Sequence, residues 1–196
     1  MKTQHRASEF TLSRDEVGRI LNAAGSLRDR TLIELLYFCA LRVSEAANLD
    51  VRDVDLERRR LTIVGKGEKK RVVPVHEKVT QDLRFVIDGR AAGPVFTSRK
   101  PGKSGRAEAV TARQAQRILA AAAERAGVSS PNPDHPNVNP HLLRHSAARH
   151  ILAAGKAPRI VQHFLGHSSI RTTLDVYGTP SEDEVAGDVL DSWGET

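Results

Sequence analysis

A chain of 196 residues with 39% apolar side chains can bury one domain-sized core, and no Gly/Ser- or Pro-rich linker splits it into halves. No stretch is long and apolar enough to cross a bilayer, the opening MKTQHRASEF lacks the apolar run of a secretory signal, and the lone Cys39 excludes an intrachain disulfide; the expectation is a cytoplasmic protein without membrane attachment. Net charge is +6, but the last sixteen residues, SEDEVAGDVLDSWGET, hold six of the 24 acidic groups and no basic one, which leaves +12 on residues 1–180 and favours a polyanionic partner such as nucleic acid over a surface that is basic only for solubility.

In chain order, SRDE reads as a capping box that opens a first helix at Ser13, with Glu16 reaching back and Leu12, Val17, Ile20 and Leu21 on the apolar face. SLRD repeats the cap before a helix over 27–40, apolar nearly all round near its end and therefore central, with Cys39 as a buried thiol. After ALRVSEAANLD, where Ser44 is placed to cap a short helix ending near Leu49, the period changes. RRRLTIVGKGEKKRVVPV has β-prone residues on both sides of a Gly-rich turn and predicts a hairpin, with Pro74 at an edge strand or strand end. Helices are predicted again at 77–88 and 111–125, with an extended GPVFTS and a basic RKPGKSGR loop between them. Pro140 then starts the helix of HLLRHSAARH, Gly155 ends it and Pro158 starts the next, while IRTTLDVYG supplies a last helical turn or two. The fold class expected is α+β and mostly α, a helical bundle carrying one small hairpin or sheet, without internal repeats.

Four groups could carry chemistry. His141, Arg144 and His145 share one helix face by their spacing of three and four, and would repel one another unless an anion lies between them. A guanidinium offers a planar fork to phosphate oxygens, and an imidazole exchanges a proton near neutrality. Arg42 sits between an apolar helix and a helix start, so it needs Glu45, a ligand or solvent as a counterpart. Lys66 lies between two glycines at the hairpin tip, where close approach to a bulky partner is possible, although no P-loop pattern is present. Tyr177 follows His167 by ten residues, with Thr172 and Thr173 between; its hydroxyl is a weak nucleophile until cations stabilise the charge that develops on attack. A competing reading pairs His141/His145 with His163/His167 as zinc ligands, but Arg144 beside the cation and the absence of H-E-x-x-H argue against it.

Taken together and in this order, Arg42 in ALRVSE, Lys66 in VGKGEKKRVVPV, HLLR at 141–144, LGH at 165–167 and Tyr177 in TTLDVYG closely resemble the catalytic domain of the tyrosine recombinase/integrase superfamily, over about Leu12 to Gly178. The resemblance implies that fold and a metal-independent DNA strand transferase that cuts and rejoins strands through a 3′-phosphotyrosyl intermediate. It implies that Arg42 and Arg144 clamp the scissile phosphate, Lys66 protonates the departing 5′ oxygen, His141 handles a proton, His167 donates a further hydrogen bond and Tyr177 attacks. Glu45 and His145 would support the site, and no cofactor or metal would be required.

Two departures accompany the match. The ten-residue interval from His167 to Tyr177 is one longer than in the best-known members, and one residue turns a helix by about 100°, which the SSIRTT loop must absorb. The helical core-binding domain that usually precedes the catalytic one is expected to be absent, since the first helix opens at Ser13. Residues 1–178 would then be the catalytic domain and 179–196 an acidic tail exchanged between protomers. The partners expected are double-stranded DNA, further copies in a tetramer on DNA, and a partner recombinase or accessory DNA-binding protein. The competing functions are a non-catalytic DNA-binding regulator, for which Tyr177 would be superfluous, and a type IB topoisomerase, which shares the tyrosine chemistry.

Overall fold

The computed structural model describes residues 10–65, 70–98 and 108–166. Helix α1 (Arg14–Asn22) starts as its capping box dictates: Ser13 Oγ accepts from Glu16 N at 3.2 Å while Glu16 Oε2 accepts from Ser13 N at 2.7 Å. Helix α2 (Leu27–Phe38) is capped by Ser26, whose Oγ accepts from Asp29 N at 3.1 Å. It is buried from Thr31 to Tyr37 and packs against α1, α3 (Val43–Ala47), α4 (Glu77–Ile87), α5 (Ala112–Arg125) and α6 (Pro140–Ala153). A helix apolar nearly all round near its end belongs in the middle, and this one lies there.

The expected hairpin forms from β2 (Arg60–Val64) and β3 (Lys70–Pro74), antiparallel with Leu61 opposite Val73 and Ile63 opposite Arg71. A further strand, β1 (Val54–Asp55), pairs with the outer side of β2, giving the order β1-β2-β3. Two residues are too few to show a period, so β1 is invisible in sequence. Pro74 ends the edge strand β3, where its missing N–H breaks no ladder. Leu61, Ile63 and Val73 turn one face of the sheet into the core. Cys39 closes that layer with Sγ 3.8 Å from the Pro74 carbonyl, its thiol pushed up to about 12 by burial and then by the Glu34 carboxylate.

The predicted helices at 77–88 and 111–125 appear as α4 and α5, and GPVFTS contributes isolated bridges, Asp50 with Pro94 and Thr97 with Ala109. Asn139 caps α6 through Leu142 N at 3.0 Å with Pro140 in the first turn, and α7 (Pro158–Leu165) ends at Gly166 in the left-handed region, φ 65°. The basic loop and the IRTTLDVYG turn lie outside the described residues, within which no helix is long and apolar enough to cross a membrane.

One local expectation is corrected. The third helix begins at Val43, not after Ser44, because Glu45 Oε2 accepts from the Arg42 amide at 2.8 Å and so closes the helix start two residues earlier. His150 is half-buried: its Nδ1 and the Tyr37 hydroxyl share a hydrogen bond at 2.6 Å, and desolvation holds its pKa below the ordinary value.

The start of the fold is pinned to α6 by one buried hydroxyl. Leu12 N donates to Ser146 Oγ at 2.9 Å, and Ser146 Oγ donates to the Leu142 carbonyl at 2.8 Å. Ser146→Ala strands the buried Leu12 amide and should lower stability by about 1–3 kcal/mol in urea unfolding; an unchanged midpoint would show that water replaces the hydroxyl.

Candidate active site

The turn from α2 into α3 is where the first candidate arginine is set. Ala40 adopts φ 45°, a left-handed conformation that costs a residue with a Cβ about 1–2 kcal/mol. The turn brings Arg42 to the surface, with 43% of its side chain exposed, while Arg42 Nη1 donates to Glu45 Oε1 at 3.0 Å. The Glu45 carboxylate, only 7% exposed, does more than hold Arg42. Arg71, on β3, donates Nη1 to Oε1 and Nη2 to Oε2, both at 2.8 Å, in the parallel two-bond geometry that makes Arg–carboxylate pairs strong. Burial alone would raise the Glu45 pKa, but the Arg71 hydrogen bonds, the Arg42 amide, the Arg71 charge and the Arg42 side-chain hydrogen bond outweigh it and bring the carboxyl down to about 2. Glu45 is therefore ionised throughout the physiological range, with two arginines around one carboxylate.

Helix α6 brings the second candidate arginine to the same place. Arg144 is buried, 7% exposed, and donates Nη1 to the Ala40 carbonyl and Nη2 to the Leu165 carbonyl. Leu165 ends α7, so its carbonyl is one of those that a helix leaves without an internal partner. Both of these acceptors are neutral carbonyls, and the bonds aim the guanidinium. His141 lies one turn earlier on α6, exposed, next to the helix N-terminus, where the aligned peptide dipoles favour an anion. His145 is half-buried on the following turn.

Sequence-distant segments thus meet through a chain of contacts: Arg144 to Ala40 and Leu165, Arg42 to Glu45, Glu45 to Arg71, and Arg71 against Gly166. Lys66, His167 and Tyr177 lie outside the described residues, although the flanks of two of them are placed. Val64 pairs with Lys70 on either side of the segment that contains Lys66, and Gly166 immediately precedes His167. For the zinc reading, His163 is exposed on α7 and, among the described residues, no three His, Cys, Asp or Glu side chains converge as metal ligands.

Arg71 is the residue that motif reading missed. Its signal was present, because alternation along β3 puts Arg71 on the same face as the buried Val73, and a charge in that register must have a partner.

The order of elements, with a hairpin between α3 and α4 and arginines at the α2–α3 turn and on α6, is that of a tyrosine recombinase catalytic domain. The crystal structure of XerA recombinase superposes with a TM-score of 0.73 at 27% identity, over 95% of this chain and 66% of that one. The phage integrase family model matches residues 11–184, and the chain belongs to this family. Tyrosine recombinase XerC of Mycobacterium sp. (strain KMS) is 38% identical over 187 residues, and XerD of Mycobacterium leprae (strain TN) 38% identical over 192. These matches cover 88% and 87% of this chain but 59% and 57% of the relatives, so the chain spans somewhat over half of their length. The XerH recombinase structure bound to difH substrate shares the fold, with a TM-score of 0.72 at 22% identity over 94% of this chain and 54% of that one.

Because the folded Glu45 carboxyl holds its proton more weakly than an ordinary glutamate, its stabilisation is complete above pH 4.5 and disappears as the pH falls through about 2. Glu45→Gln should therefore cost up to about 3 kcal/mol at neutral pH in urea unfolding, with the gap to the wild-type chain closing as pH falls from 4.5 towards 2. A gap that stays constant across that range would rule out the two ion pairs as its source.

Proposed function

We propose that residues 1–178 form the catalytic domain of a site-specific DNA recombinase that cuts and rejoins strands of double-stranded DNA through a 3′-phosphotyrosyl link. The observation that carries this reading is the meeting of Arg42 and Arg144 about the α2–α3 turn. One is exposed and the other buried, and both are pre-oriented by acceptors that leave the site cationic. A phosphodiester under attack gathers negative charge on its equatorial oxygens, and fixed cations aimed at those oxygens stabilise that state more than the ground state.

In this mechanism Arg42 and Arg144 hold the non-bridging oxygens, and His167 donates a third hydrogen bond. The Tyr177 oxygen attacks phosphorus, its proton passing to His141, while the P–O5′ bond breaks and Lys66 delivers a proton to the departing oxygen. The phosphotyrosyl bond keeps the energy of the broken one, so the 5′-hydroxyl of another strand reverses the step without ATP, and the protein cations do the work that a divalent metal does elsewhere. Glu45 and His145 support the two arginines from behind. The acidic residues 179–196, repelled by DNA, are suited to dock on a neighbouring protomer of a tetramer on DNA or on a partner recombinase. Such a reaction belongs in the cytoplasm, where the DNA is. The same chemistry serves integration, excision and resolution.

The test is a duplex nicked close to the scissile phosphate, so that the released fragment diffuses away and the covalent intermediate accumulates. With chelator present, the wild-type chain should give a denaturation-resistant protein–DNA adduct, and Tyr177→Phe should give none. Adduct from Tyr177→Phe would mean a different nucleophile, and loss of adduct on chelation would return the metal reading. Arg144→Ala should lower the single-turnover cleavage rate by roughly a hundredfold or more while changing DNA affinity far less. Equal losses would reduce Arg144 to an anchor for DNA.

A further inference from the structure

We infer that Arg71 is a positioning residue for cleavage: it fixes Glu45, and through Glu45 the guanidinium of Arg42, while bracing the turn that leads into His167. The inference rests on the recombinase reading and adds to it a residue that acts without touching the phosphate.

Four observations converge on Arg71. Its side chain is 11% exposed, although it stands on an edge strand of a basic protein where a solvated arginine would be ordinary. Both terminal nitrogens are committed to the two oxygens of Glu45, and each of those oxygens also accepts from Arg42, Oε1 from Nη1 and Oε2 from the backbone amide. Glu45 is thus clamped from two sides, and its position determines where the Arg42 fork points. The stem of Arg71 passes directly under Gly166. A Cβ built on Gly166 would lie 2.9 Å from Arg71 Cδ and 3.0 Å from Nε, so this left-handed turn and the arginine occupy one another's last free space. Finally, Nε is buried and, among the described residues, has no hydrogen-bond partner. A buried donor in that state costs stability, and a lysine or a methionine would avoid the cost. What neither can supply is a planar fork that holds both carboxylate oxygens at fixed angles.

The position of Arg71 in the chain gives this geometry its consequence. Arg71 lies opposite Ile63, with Lys70 opposite Val64, the last described pair before the segment that contains Lys66. One side chain therefore links the hairpin, the Arg42 turn and the end of α7, the same end that Arg144 grips through the Leu165 carbonyl. A shift of Arg71 would move Arg42 and the approach to His167 together, with little change in the charge offered to DNA.

The decisive substitution is Arg71→Lys, which keeps the charge and removes the fork. Using the full chain and the nicked duplex described above, the cleavage rate at saturating DNA should fall about tenfold or more, while the affinity, measured in a Tyr177→Phe background, changes less than about threefold. Combined with Arg42→Ala, the loss should fall at least about threefold short of the product of the two single losses, since the group being positioned is already gone. Gly166→Ala, which displaces Arg71 from the other side, should give the same split between rate and affinity, and provides a second route if Arg71→Lys folds poorly. A wild-type rate in Arg71→Lys, equal losses of rate and affinity, or fully multiplicative losses with Arg42→Ala would each overturn the positioning role. A wild-type chain that forms no adduct would instead sink the recombinase reading itself, and the role of Arg71 in cleavage with it.

Discussion

The buried guanidinium of Arg144 is the constraint around which this domain is arranged. A permanent cation under the surface is tolerated only when its N–H groups find acceptors, and here two of them come from chain turns that regular structure leaves unsatisfied. The Ala40 carbonyl is exposed to Arg144 by a left-handed residue, and the Leu165 carbonyl by the end of α7. Arg144 thus fastens three elements, α2, α6 and α7, at the point where a ligand anion would meet them. Removing it would leave the Ala40 and Leu165 carbonyls without their donor as well as taking away a fixed cation.

Glu45 sets the charge balance around that point. It is one carboxylate between two arginines, so this triad keeps a net positive charge, and Arg144 adds to it. The depressed pKa of Glu45 shows that the surroundings stabilise its negative charge rather than merely tolerating it. A carboxylate that strongly ionised holds its arginines in place while neutralising only part of their charge. Not every arginine in this basic chain serves an anion: Arg90 spends its donors on the carbonyls of Val86, Ile87, Pro94 and Val95, closing the end of α4. Net charge therefore suggests a nucleic-acid partner, but which cations face it depends on where the chain puts them.

Much of the local structure was legible because its causes are local. Ser13 with Glu16, Ser26 and Asn139 are helix starts written in adjacent residues, and Pro140 and Pro158 occupy first turns for steric reasons. The hairpin flanking Lys66 follows from alternation on both sides of its glycines. Arg42 and Arg144 were recognisable because their neighbours repeat a family pattern. Ser44 has the chemistry of a helix cap, but Glu45, three residues beyond Arg42, closes the third helix instead and sets its start at Arg42.

What the sequence determined by itself is most of the described helices, the β2–β3 hairpin and the identity of the groups available for chemistry, since each depends on residues close together in the chain. The joining of Arg71 to Glu45 across 26 positions, of Arg144 to Ala40 across 104, and of Tyr37 to His150 across 113 was decided only by the tertiary structure. Burial is the physical reason. A charged or polar side chain chooses its partner when water is removed, and which groups are left to choose from depends on how the helices and the sheet pack.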